Sequence, residues 1–128
     1  MLRVTGPENT QGEELIIKVA PAKTWKLLSL AGVMDGTDTL NRRTLILTLL
    51  SSEDAGNDLF RDVLFDEGGP MGDILFCSAV GMARRRDNVG NPYILNPLPA
   101  LSLPAEAVVR LDSGGAGLHE IFLIVEET

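Results

Sequence analysis

The segment "RRTLILTLLS", residues 42–51, decides the fold class of this chain. Leucines at positions 45, 47 and 49 alternate with threonine or isoleucine at positions 44, 46 and 48. Such alternation places one set of side chains on each face of a β-strand. The segment therefore predicts a strand whose leucine face is turned toward a hydrophobic core.

The same alternation recurs along the chain and predicts a fold built from strands. Segments of this kind are "ELIIKVA", "TWKLLSLAGVM", "DILFCSAVGMA", "YILNPLPALSLP", "EAVVRL" and "HEIFLIVEE". The segment "DLFRDVLFD" fits a strand or a helical turn, and we favour a strand, although the assignment within residues 57–76 stays open. Gly, Pro, Asn and Asp fill the connections, and no helical periodicity extends over roughly ten residues.

We therefore predict an all-β fold, an antiparallel, jelly-roll-like β-sandwich of about eight strands. The alternative is a small α/β domain, which would need crossover helices that the sequence does not place. A length of 128 residues suits one domain. We expect a polar N-terminal segment at residues 1–13, followed by a single sandwich domain at residues 14–128.

Charge and cysteine content restrict the partners and the compartment. The net charge of -7 argues against nucleic acid, whose binding needs a basic surface. Cys77 is the only cysteine, so no intrachain disulfide can form. The N-terminal residues lack the apolar core of a signal peptide, and no apolar run is long enough for a membrane span. We expect no membrane partner and assembly in a reducing cytoplasm.

The glycine-rich stretch "LDSGGAGLHEIFLIV", residues 111–125, resembles a phosphate-binding loop at first sight. A P-loop needs a lysine, and a dinucleotide fingerprint needs a following helix. This loop has no lysine, and an apolar β-type run follows it. The glycines are better suited to a hairpin turn between the last two strands, because glycine adopts positive φ without strain.

His119 is the only histidine of the chain. A metal site needs three or four ligands, and His119 with Cys77 supplies at most two. We therefore predict no catalytic residue, no metal and no cofactor, and a protein that is not an enzyme. The acidic loops "DGTDT" and "SSEDAGND" could bind calcium weakly, but neither follows the EF-hand pattern.

Two predicted strands are apolar on both faces, which requires a cover on both faces. Phe122 and Ile124 alternate with the core positions of the last strand, and Ile46 and Leu50 do so in residues 42–50. In a domain of this size a second copy is a reasonable cover, so we expect a homo-oligomer. Candidate interface residues are Ile46, Leu50, Phe122 and Ile124, with Arg84, Arg85 and Arg86 as a charged contact.

The three arginines also have a simpler interpretation, in which they protect a strand end and pair with nearby acids. A carbohydrate-binding face would need exposed aromatic side chains. Besides four phenylalanines the chain has only Trp25 and Tyr93. We expect Trp25 to anchor the core near a sheet end.

The segments "VAPAKTWKLLSLAGVM", "NRRTLILTL" and "LPALSLPAEAVVRLDSGGAGLHEIFLIVEE" together resemble small jelly-roll-like structural proteins of tailed bacteriophages. The resemblance extends from about Val19 onward, but "DLFRDVLFDEGGPMGDILF" fits no pattern of that group. It implies a virion protein, a capsid decoration or head–tail accessory component, that binds itself and other capsid or tail proteins. The alternative is a carbohydrate-binding module of a tail fibre.

Overall fold

The computed structural model describes residues 2–5, 14–35, 42–53, 58–68, 72–87, 93–114 and 117–128. Within these ranges the chain forms eleven β-strands and no helix, and no segment could cross a membrane as a long apolar helix. The strands are β1 (Leu2–Thr5), β2 (Glu14–Lys18), β3 (Trp25–Met34), β4 (Arg42–Leu50), β5 (Asp58–Gly68), β6 (Ile74–Val80), β7 (Arg85–Asp87), β8 (Tyr93–Leu98), β9 (Ser102–Leu103), β10 (Val108–Asp112) and β11 (Leu118–Glu127).

The strands form two sheets that pack into a β-sandwich, as predicted. Sheet A has seven strands in the order β1-β11-β3-β6-β8-β7, with β9 also paired to β3. Sheet B has four strands in the order β2-β10-β4-β5. All pairs are antiparallel except β6 with β8, which run parallel. The strand number exceeds the predicted eight because β1, β7 and β9 have four residues or fewer, too few to show alternation.

The predicted core faces are confirmed. Leu45, Leu47 and Leu49 of β4 are fully buried at 0% exposure. On β11, Ile121, Leu123 and Val125 are buried in the same cluster. The segment that fitted a strand or a helical turn is β5, and β1 lies within residues 1–13 and pairs with β11.

The glycine-rich loop connects the last two strands, but the prediction of a hairpin was wrong. β10 belongs to sheet B and β11 to sheet A, so the loop crosses between the layers. Gly114 has a φ of 62°, and its N–H donates to the Asp112 carboxylate at 2.9 Å. Glycine is therefore needed for a turn, as expected, yet alternation within each strand does not show which sheet that strand joins.

Trp25 anchors one end of the core, as predicted. It is 1% exposed, and its Nε1 donates a hydrogen bond to Oε2 of Glu127 at 2.7 Å. The two residues are register partners at the ends of β3 and β11. Because the indole is buried, Trp25 cannot stack on a sugar ring.

A β-bulge interrupts the pairing of β11 with β3. His119 pairs with Val33 and Phe122 with Ala31, so Glu120 and Ile121 together lie opposite Gly32. A side chain at Gly32 would collide with Cδ1 of Ile121, and its Cβ would lie 2.8 Å from Cζ of Phe76. Glycine at this position therefore lets Ile121 reach the core from a bulged strand.

We expect Gly32→Ala to lower the free energy of unfolding by about 1–3 kcal/mol, because overpacking forces neighbouring side chains to shift. Urea denaturation of the purified protein measures this change. Ile121→Val removes the colliding Cδ1 atom and provides the control. The double variant should lose less stability than the sum of the two single variants, and additive losses would contradict this account of Gly32.

Candidate functional site on the outer face of sheet A

The side of sheet A that is turned away from sheet B carries apolar side chains across four neighbouring strands. Phe122 of β11 pairs with Ala31 of β3, which pairs with Cys77 of β6. Cys77 in turn pairs with Leu95 of β8. Register partners point to the same side of a sheet. We call this surface the outer apolar face; its residues are Ala31, Val33, Leu75, Cys77, Tyr93, Leu95, Phe122 and Ile124.

This face contains an open cavity of about 410 Å³, lined by the central residues of the face and by Glu120. Phe122 is 56% exposed and Leu75 is 53% exposed. Large side chains of this kind are usually buried, and a contiguous exposed group of them marks a binding surface. The prediction that β11 carries apolar side chains on both faces is confirmed.

The structure separates the four apolar interface candidates into two pairs. Phe122 and Ile124 lie on the outer apolar face, with Ile124 half-buried. Ile46 and Leu50 belong to β4 in the other sheet, and Leu50 is only 6% exposed. These four residues therefore do not form one surface, and Phe122 of the sheet A pair lines the cavity described above.

The three candidate arginines also separate, because they alternate along the edge strand β7 and the residue before it. Arg84 forms an ion pair with Asp62 of β5 at 2.8 Å, and Arg86 lies over the Phe65 ring at 5.3 Å. Both side chains close the edge of the sandwich between β7 and β5. The expected pairing of the arginines with nearby acids is thus confirmed for Arg84.

Arg85 has a different environment from its two neighbours. Its register partner is Leu95, so it points to the outer apolar face. It is exposed and forms no ion pair in the part of the chain that the structure describes. Arg85 therefore places an available positive charge at the β7 edge of the apolar surface.

An acidic group with one histidine lies at one end of the face, where β3 ends and β6 and β11 begin. Asp35 follows β3, Asp73 precedes β6, and His119 lies on β11. Nε2 of His119 lies 2.5 Å from Oδ1 of Asp35, and one ligand atom from each of the three residues lies within 4.8 Å of the others. Glu120 is exposed beside Phe122.

The sequence did not predict this cluster. From the sequence, Cys77 was the only second metal ligand expected for His119. The structure instead brings two carboxylates to the imidazole. The three residues are far apart in the chain, and their proximity depends on the register of β3 with β6 and β11. No short motif in the sequence carries that information.

Cys77 lies near the centre of the outer apolar face. It is a free, partly exposed cysteine, and burial raises the pKa of its thiol. A raised pKa lowers the fraction of reactive thiolate at neutral pH. This side chain therefore belongs to the apolar surface, and the raised pKa is the opposite of what activates a thiol as a nucleophile.

No protein family, no curated protein and no solved structure matches the chain.

Proposed function

We propose that this protein is a non-enzymatic structural subunit that self-associates through the outer apolar face of sheet A. The observation that carries the proposal is the exposure of Phe122 and Leu75 beside an apolar cavity. Burying such side chains contributes about 25 cal/mol per Å² of apolar area removed from water. Sheets that pack face to face interdigitate side chains of this kind in the same way as the interior of a sandwich.

The charges at the two sides of the face favour a second copy as the occupant. Glu120 lies at the β11 side, and Arg85 lies at the β7 side of the same surface. A two-fold axis parallel to the strands and over β6 would place Glu120 of each copy opposite Arg85 of the other. The apolar centre would then be buried between two ion pairs.

The same charges disfavour the other symmetric arrangement. An axis that runs across the strands would place β11 over β11 of the second copy. Glu120 would then face its own equivalent, and like charges opposed at an interface are destabilising. The axis parallel to β6 buries the apolar surface and pairs Glu120 with Arg85, which the axis across the strands does not do.

Within this proposal the protein is a virion component, either a capsid decoration or a head–tail accessory protein, assembled in the host cytoplasm. The resemblance of its sequence to small structural proteins of tailed bacteriophages supports that placement. The sandwich fold is of the kind that the resemblance implies. Other capsid or tail proteins would then bind surfaces that self-association leaves free.

We expect Phe122→Ser to weaken self-association by about tenfold or more, because it removes a central apolar contact. Sedimentation velocity over a concentration series measures the dissociation constant. Ile16→Ser is the matched control, since Ile16 is 47% exposed on β2 of the other sheet. A wild-type protein that stays monomeric at all concentrations, or equal effects of both variants, would refute the proposal.

Charge exchange tests the direction of the axis. Arg85→Glu and Glu120→Arg should each weaken the dimer, because each creates a like-charged pair at both ends of the interface. The double variant restores opposite charges and should recover most of the wild-type affinity. If the double variant is as weak as the sum of its parts, Arg85 and Glu120 do not face each other.

Cross-linking through Cys77 provides a third test, because an axis over β6 brings the two Cys77 residues of a dimer face to face. Packed sheets are about 10 Å apart, which a short bismaleimide can bridge. We expect a covalent dimer on denaturing gels. Its yield should increase with pH above neutrality, because burial raises the pKa of the thiol and maleimide reacts with the thiolate. Arg85→Glu should reduce this yield, and an unchanged yield would contradict the proposed interface.

A further inference from the structure

We propose that Asp35, Asp73 and His119 form a binding site for one divalent transition-metal ion such as Zn²⁺. The three side chains extend from the end of β3, the approach to β6 and the start of β11. They meet at one end of sheet A, where β3 ends and its neighbours β6 and β11 begin, beside the outer apolar face. The site shares no residue with the outer apolar face, so metal binding and self-association can be tested separately.

The distances suit a common metal ion. One ligand atom from each residue lies within 4.8 Å of the other two. An ion bound at about 2.0–2.2 Å from each ligand separates neighbouring ligand atoms by roughly 3–3.5 Å. The side chains of Asp35 and His119 are partly exposed, so they have room to rotate toward that spacing.

The donor atoms indicate which ions fit. Imidazole nitrogen with two carboxylate oxygens suits zinc, manganese, cobalt or iron(II), whereas calcium and magnesium prefer sites made of oxygen alone. Three protein ligands leave one or more coordination positions open to water. His119 is the only histidine in the chain, so no second imidazole site competes for the ion.

Two features of the backbone hold the ligands in place. The carbonyl oxygen of Gly117 accepts a hydrogen bond from the backbone N–H of Asp35 at 2.8 Å. A Cβ at Gly117 would lie 2.6 Å from Oδ2 of Asp35, so glycine leaves the space that this carboxylate occupies. His119 pairs with Val33, which lies two residues before Asp35, so the side chains of His119 and Asp35 lie on the same side of the sheet.

Isothermal titration of the full chain with ZnCl₂ tests the site. We expect one ion per chain, and His119→Ala and Asp73→Asn should each weaken binding at least tenfold. Gly117→Ala keeps all three ligands but displaces the Asp35 carboxylate, and should also weaken binding about tenfold. Asp58→Asn, which changes an exposed carboxylate of sheet B, is the matched control and should bind as the wild type does.

A second measurement needs no variant and therefore does not depend on how variants fold. The only histidine gives a single set of imidazole proton signals in NMR spectra of the wild-type protein. Zn²⁺ should shift these signals until one equivalent is added, and Co²⁺ should shift them strongly through its unpaired electrons. Zinc titration with no heat and no shift of the His119 signals would overturn the site. Equal zinc affinity of the wild-type protein and of Asp73→Asn would also overturn the site. Neither result would affect the self-association proposal, because sedimentation tests that proposal without metal.

Discussion

The register of β3 between β11 and β6 is the constraint on which the rest of the structure depends. It sets Phe122, Ala31 and Cys77 in one row, which makes the outer face of sheet A continuous. It also brings Asp35, at the end of β3, to Asp73 and His119. A shift of one residue would turn every side chain of β3 to the opposite face. The apolar surface and the metal-ligand cluster would then be lost together.

The three consecutive arginines at the edge strand β7 lie on different sides of the sheet, because side chains alternate along a strand. Successive residues of a strand point to opposite sides, so Arg86 turns inward to Phe65 while Arg85 turns outward. Arg84 reaches across to Asp62 of the other sheet. Exposed ion pairs contribute little, and Arg84 with Asp62 adds only up to about 1 kcal/mol. The alternation matters more for the position of Arg85, because it leaves the positive charge of Arg85 at the rim of the outer apolar face.

The sequence predicted those features that depend on neighbouring residues and missed those that depend on distant ones. Alternation placed Leu45, Leu47 and Leu49 in the core, and it also identified the exposed position of Phe122. It could not assign β10 and β11 to different sheets, because that choice rests on long-range pairing. For the same reason the sequence could not predict that Asp35 and Asp73 lie beside His119.

The bulge in β11 shows why the two proposed sites adjoin each other. Strict alternation would point Phe122 to the core if His119 pointed outward, because three positions separate them. The extra residue of the bulge corrects this, so that His119 and Phe122 share the outer face and Ile121 still enters the core over Gly32. Glu120 takes a φ of 54°, a left-handed conformation that costs a non-glycine residue about 1–2 kcal/mol. Such strain persists only where surrounding contacts enforce it. Here the burial of Ile121 on one side and the pairing of Phe122 with Ala31 on the other enforce it, so the core itself fixes the geometry of the exposed face.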